Sequence, residues 1–369
     1  MTEIHADRRA RAQQKITASG ADAALITAPA NVRYLSGLVS SNAAILLPAA
    51  GDGVLATDSR YAEAAERDCP DIEIACEREL EPALAQLAVA RGYGTVAFEA
   101  QEMTVERHAA LAALAGSMRL VPLGHVVEDL RMIKDETEIA LLARACAITA
   151  EAFTEILGKI VPGRTERDLA VLLERAMIDL GAEALAFDTI VASGPNGAIP
   201  HHSPGNRAFE AGDLVTVDCG ARYGGYHADM TRTVALGAPA AWQRDIYELV
   251  ASAQLAGVAA ATAGAAVAEV DAAARDIIDA AGHGDHFGHG LGHGVGLEVH
   301  EAPLMSRGRT GRLADRVPVT VEPGIYLPGK GGVRIEDTLV VRASVSGASP
   351  GQAVPAEILT TTTKELLVL

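Results

Sequence analysis

Apolar positions along this chain fall into two arrangements. Up to about residue 127, short apolar runs alternate with stretches of helical spacing. Ala21 to Ala28, Ala43 to Leu47 and Thr95 to Phe98 read as strands, Asp58 to Asp68, Glu79 to Arg91 and Glu102 to Ala115 as helices, and Val121 to Gly124 as a strand-like turn. Such alternation predicts an α/β unit over residues 1–127. From Asp135 a charged start followed by apolar residues at helical spacing predicts a helix to Leu157 that opens a second domain, 135–369, with the boundary near Val127 to Lys134. There the order is a helix at Glu166 to Leu180, strands at Thr189 to Ala192, Leu214 to Cys219 and His227 to Leu236, one long Ala-rich helical run from Ala241 to Ala281, and strands at Val317 to Glu322 and Val333 to Val341. Helices and antiparallel strands in runs predict an α+β fold.

Composition narrows the class. A chain of 369 residues with 49% hydrophobic content suits two domains with a core each. Its apolar stretches break well before the ~18 residues of a membrane span, and Met1 to Gly20 is charged rather than signal-like, so a soluble cytoplasmic enzyme with no membrane partner is expected. Cys69, Cys76, Cys146 and Cys219 show no paired spacing, which argues against a disulfide framework or zinc ribbon; Cys219 reads as a small buried strand residue. The net charge of −17 (31 basic minus 48 acidic) argues against a nucleic-acid partner, because phosphate contacts need clustered Lys and Arg.

The acidity has a further reading. Asp218, Asp229, His289, Glu322 and Glu336 form a set of four carboxylates and one imidazole, which suits hard divalent cations. Two such ions about 3.5 to 4 Å apart can share and deprotonate one water, so the set predicts a two-metal hydrolase. Asp218 and Asp229 lie on two β-type runs joined through Gly224 and Gly225, a hairpin that brings them side by side. Side-chain alternation sends Val215, Val217 and Cys219 to one face and Thr216 and Asp218 to the other. Glu322 ends an apolar strand before Pro323 and Gly324, and Glu336 follows Arg334 onto the same face of the next strand, an arrangement in which Arg334 would hold the carboxylate. Between the pairs, Gly288-His-Gly-Leu-Gly-His-Gly-Val-Gly296 gives close backbone approach and neutral ligands or proton carriers; His283 and His286 read as surface residues.

With these segments in view the chain resembles the pita-bread metallopeptidases, the group that holds Xaa-Pro dipeptidases, aminopeptidase P and methionine aminopeptidases. Asn31-Val-Arg-Tyr-Leu-Ser-Gly37 and Asp58-Ser-Arg-Tyr61 resemble the creatinase-type N-terminal domain of the proline-specific branch. The resemblance implies that Asp218 binds one ion through both oxygens, that Asp229 and Glu336 bridge two ions, and that His289 and Glu322 complete the coordination of the other ion. It places His293 and His300 at the scissile bond and proline side, and His201 near the tetrahedral oxyanion. Glu322 would also carry a proton to the leaving nitrogen, which is tertiary in an Xaa-Pro bond and must be protonated before it departs. Mn²⁺ is the first expectation, with Co²⁺ or Zn²⁺ as alternatives. The implied substrates are short Xaa-Pro peptides and the implied assembly a homodimer. One position departs from the pattern: many prolidases carry an Arg just past the residue matching His300, where it meets a dipeptide carboxylate, and Leu304 stands there. Arg307 or Arg309, or Arg33 and Arg60 of a neighbouring subunit, are candidate substitutes; otherwise longer peptides are expected, as for aminopeptidase P. A metal-free creatinase-like enzyme, a non-catalytic binding module and an unrelated dinuclear phosphatase are the alternatives of different class.

Overall fold

A computed structural model describes residues 2–343 and 354–369. The chain divides into two compact units, Met1–Arg131 and Met132–Leu369.

The first unit holds a six-stranded mixed sheet in the order Glu73–Cys76, Val54–Thr57, Ala43–Pro48, Ala23–Ile26, Thr95–Phe98, Arg119–Pro122. Its inner strands are Ala, Leu, Ile and Val almost throughout and are buried on both faces, as expected for a sheet with helices against it. The helix Thr2–Ser19 was not legible as a helical pattern, because its inward face includes Arg8 and Arg9. Arg8 lies 4.3 Å over the Tyr34 ring and Arg9 donates to the Leu35 carbonyl at 2.8 Å, so charged side chains do the packing that apolar ones usually do.

In the second unit the expected strands and helices form, with three corrections, the first being that the run His227 to Leu236 is broken at Ala228 and Asp229 into Tyr226–His227 and Met230–Ala235. The run Ala241 to Ala281 is two helices, Ala241–Ala260 and Val267–Ala280, packed on each other and separated by a turn in which Gly264 takes φ +89°. Ala has high helix propensity on both sides, but it cannot supply that left-handed turn. The run Val333 to Val341 is likewise two strands, Gly331–Arg334 and Asp337–Val340, which pair with different neighbours. A three-stranded antiparallel sheet orders Met230–Ala235, Leu214–Cys219 and Ile190–Ser193. A second sheet orders Glu301–Met305, Gly292–Gly294, Pro318–Val321, Asp337–Val340 and Glu357–Ile358. Val215, Val217 and Cys219 enter one apolar cluster with the helices Glu136–Ile156 and Glu166–Asp179, while Thr216 meets Thr233 hydroxyl to hydroxyl at 3.0 Å on the other face. Among the described residues no helix is long and apolar enough to cross a membrane.

Glu166, first residue of its helix, fixes the loop that precedes the Leu214–Cys219 strand. Its buried carboxylate accepts from Ser193 N and Oγ (both 2.8 Å), Asn196 Nδ2 (2.9 Å), Gly205 N (3.1 Å) and His202 Nε2 (2.8 Å). Burial opposes the charge, and the hydrogen bonds from Asn196, His202 and Ser193 outweigh it and hold the carboxyl below its ordinary value. A depressed folded-state pKa stabilises above the unfolded value and loses that stabilisation as pH falls through the folded one. Glu166→Gln is therefore expected to cost about 2–3 kcal/mol near neutrality. The deficit against wild type shrinks below about pH 4.3, the ordinary glutamate range, in thermal melts taken across pH.

Candidate metal centre

Each acidic site residue sits where a strand starts, ends or breaks. Asp218 is the penultimate residue of Leu214–Cys219 and faces Thr231 across the ladder. Asp229 occupies the break between Tyr226–His227 and Met230–Ala235. Glu322 follows Pro318–Val321 directly, and Glu336 fills the break before Asp337, with its N–H donated to the Thr231 carbonyl at 3.1 Å. His293 lies at the middle of Gly292–Gly294. A Cβ on Gly292 would meet the Thr320 carbonyl oxygen at 2.0 Å, and one on Gly294 the Ala302 oxygen at 2.1 Å, so only glycine admits the neighbouring strands at these two positions.

The result is a group of buried acids around an imidazole. Ligand atoms of Asp229, His293 and Glu336 all lie within 4.8 Å of one another. His293 Nε2 is 3.6 Å from Asp229 Oδ2 and 3.4 Å from Glu322 Oε1. Its Nδ1 lies 2.9 Å from the Gly294 carbonyl; donation there assigns the tautomer whose Nε2 lone pair faces the carboxylates. The sequence expected His289 as the imidazole of the ligand set; in the structure it is His293 that lies against the acids. His289 Nδ1 lies 2.8 Å from the Gly290 carbonyl and its Nε2 meets the Tyr326 hydroxyl at 2.9 Å. Burial pushes both imidazoles down to about 4, so both are neutral near pH 7.

Arg334 organises the acids. It donates to Asp218 Oδ2 (2.7 Å), Tyr326 Oη (2.9 Å) and Thr231 Oγ1 (3.0 Å), and Thr231 in turn donates to Glu336 Oε2 at 2.7 Å. The guanidinium thus holds Asp218 directly and Glu336 only through Thr231, whereas the sequence placed it against Glu336. Burial, then the Glu336, Asp218 and Glu322 charges, raise the Asp229 carboxyl well above its ordinary range. Burial and the Glu322 and Asp218 charges do the same to Glu336, and burial carries Glu322 up to about 8. Four carboxylates against one guanidinium leave three negative charges; two divalent cations bring four positive ones. Asp218 Oδ1 is buried with no hydrogen-bond partner, as an oxygen reserved for a cation would be. The donor set fits two hard divalent ions.

A cleft of about 580 Å³ opens onto this group and is lined further by His201, His289, His300, Leu304 and Arg309. The His300 ring packs edge-on to His293, centroids 4.4 Å apart. His283 and His286 face each other, Nδ1 to Nδ1 at 3.2 Å, outside this cleft. Cys219 is buried with its thiol pushed up by burial, in keeping with a packing role. Tyr326 and Thr231 were not read from the sequence. Both are ordinary strand residues there, and only their approach to Arg334 marks them.

Residues 140–343 match the family described as Metallopeptidase family M24, and residues 8–133 match the Creatinase/Prolidase N-terminal domain. An uncharacterized peptidase of Bacillus subtilis, YqhT, is 42% identical over 323 residues, 87% of this chain and 91% of that one. Among solved structures, the Xaa-Pro dipeptidase from Bacillus anthracis superposes with TM-score 0.93 at 36% identity, covering 99% of this chain and 100% of the other. The X-Pro aminopeptidase from Thermotoga maritima gives TM-score 0.88 at 36% identity, covering 98% and 99%.

The geometry makes the two imidazoles separable. His293→Ala is expected to lower bound metal sharply, whereas His289→Ala leaves it near the wild-type level, as measured by elemental analysis after dialysis. Returning Mn²⁺ to metal-free wild type at about 100 times its Kd is expected to add about 2.7 kcal/mol of stability, several degrees of Tm by calorimetry.

Proposed function

The chain belongs to the M24 metallopeptidase family, with a creatinase/prolidase N-terminal domain before the catalytic one, and from that premise we propose that it hydrolyses the Xaa-Pro bond of short peptides, dipeptides first. The observation that carries this reading is the convergence of three buried carboxylates, the half-buried Glu322 and the His293 Nε2 on one open cleft. The names of the two solved relatives supply the proline preference.

In this reading Asp218, Asp229, His293, Glu322 and Glu336 hold two divalent cations, with Asp229 and Glu336, the more deeply buried acids, shared between them. Mn²⁺ is preferred on donor chemistry, ahead of Co²⁺ or Zn²⁺. When bound, the ions supply a water-derived nucleophile at neutral pH and a Lewis acid for the scissile carbonyl. The protein supplies the remainder. Arg334 fixes the orientation of Asp218, and Thr231 that of Glu336. Glu322 receives the proton lost by the nucleophile and returns it to the proline nitrogen. His201 and His300, both on the cleft wall, donate hydrogen bonds to the oxygen that gains charge and to the substrate backbone. His289, with its Nε2 on Tyr326, moves from the ligand set to this wall. A homodimer in the cytoplasm belongs to the same reading.

A second reading, aminopeptidase P-like cleavage of longer peptides, has its own support: Leu304 lines the cleft and is 43% exposed where a carboxylate-binding Arg was expected. Steady-state hydrolysis of Xaa-Pro against Xaa-Pro-Yaa decides between them. The expected outcome is a higher kcat/KM for the dipeptide, and a clear preference for the tripeptide selects the second reading. Asp229→Asn is expected to lose metal and to lower kcat/KM by about 10³-fold, some 4 kcal/mol of barrier. Unchanged activity would reject the mechanism.

A further inference from the structure

The cleft wall carries two charged side chains that the acid group does not use. Asp188 precedes the strand Ile190–Ser193, the outer strand of the three-stranded sheet. Arg309 follows the strand Glu301–Met305, the outer strand of the second sheet. Both line the cleft, both are exposed, and among the described residues neither side chain has a hydrogen bond or ion pair. Arg307, two residues away, is paired with Asp279 and lies outside the lining. Arg334, the other guanidinium on the wall, is committed to Asp218, Tyr326 and Thr231.

The topology assigns these two charges to different sheets. Asp218 lies on the strand next inward from the Asp188 edge, and His293 on the strand next inward from the Arg309 edge. The cleft that holds the acid group thus carries a free carboxylate beside the edge of one sheet and a free guanidinium beside the edge of the other. A ligand held in the cleft has one free negative and one free positive side chain within the wall around it. An unblocked short peptide has the complementary pair, an ammonium and a carboxylate, with its peptide bond between them. The forked guanidinium matches a carboxylate in particular, because two parallel N–H donors meet its two oxygens.

We propose that Arg309 anchors the terminal carboxylate of the substrate and Asp188 its terminal ammonium, so that the cleft selects dipeptides by both charged ends. This rests on the Xaa-Pro reading above and deepens it. It resolves the Leu304 departure as well, since the cation comes from five residues further along the chain. Each added residue carries the carboxylate about 3.5 Å farther from the cleaved bond, which weakens the match to Arg309 for longer peptides.

The test uses the metal-loaded full chain with Ala-Pro and Ala-Pro amide, which differ only in the terminal charge. Arg309→Ala is expected to raise KM for Ala-Pro about tenfold or more, with kcat within about twofold, while the amide is cleaved as by wild type. Amide turnover in that variant also reports that it is folded. Asp188→Asn is expected to raise KM for both compounds by the same factor, because both keep the ammonium. The proposal is overturned if Arg309→Ala affects acid and amide alike or affects neither, or if Asp188→Asn leaves both unchanged. A wild-type enzyme that cleaves neither compound overturns the Xaa-Pro reading itself and removes this proposal with it, an outcome distinct from failure of the anchor.

Discussion

The clustering of four carboxylates, three of them buried, is the constraint on which the second unit is built. Asp218, Asp229, Glu322 and Glu336 come from four separate segments and converge with one guanidinium among them. Burial first, and the charges of the neighbouring acids second, raise the Asp229 and Glu336 carboxyls well above their ordinary range. Arg334 answers part of that rise, and its charge is favoured by the same acids even though burial works against it. A fold that retains such a cluster gives up stability at this point for a function, and the apolar clusters on either side supply what is given up.

Backbone interruption is how the fold brings the acids together. A residue inside a regular ladder points along the sheet normal, and two neighbours on one face cannot converge on a single point. Asp229, Glu322 and Glu336 avoid this by lying just outside ladders, at breaks where the chain turns from one partner to another. The buried acid behind them, Asp337, closes the arrangement. It accepts from Arg232, Gln254, Thr360 and Lys364, and so ties the helix Ala241–Ala260 and the C-terminal segment to the strand that follows Glu336. Glu336 is thereby held from both neighbours, by Asp337 on one side and by its own N–H to Thr231 on the other.

Much of this was legible because strand chemistry is local. Val-Thr-Val-Asp announces alternation and an acid on the less apolar face, and the structure sets Asp218 there. The helix break near Gly264 was hidden, since Ala on both sides carries no signal for a turn. The N-terminal helix was hidden for the opposite reason, because its packing face uses Arg8 and Arg9. In the site itself, residue types were readable but partnerships were not. Arg334 ends its strand and Glu336 lies in the break after it, so alternation does not pair them, and the guanidinium instead reaches across to Asp218 on another sheet, a contact that depends on sheet packing rather than on spacing along the chain.

The exchange of His289 and His293 shows the same limit most clearly. Both imidazoles stand between glycines, four residues apart, and both place Nδ1 on the next residue's carbonyl. What separates them is the backbone behind each ring. At His293 the flanking glycines admit the Thr320 and Ala302 carbonyls at distances no side chain would allow, so the strand is pressed between two neighbours and its side chain is directed at the acids. At His289 the backbone carbonyl is instead gripped by Arg275, itself paired with Asp271 on the helix Val267–Ala280. That grip turns the ring toward Tyr326, which already accepts from Arg334. Tyr326 therefore joins the His289 imidazole to the guanidinium that holds Asp218.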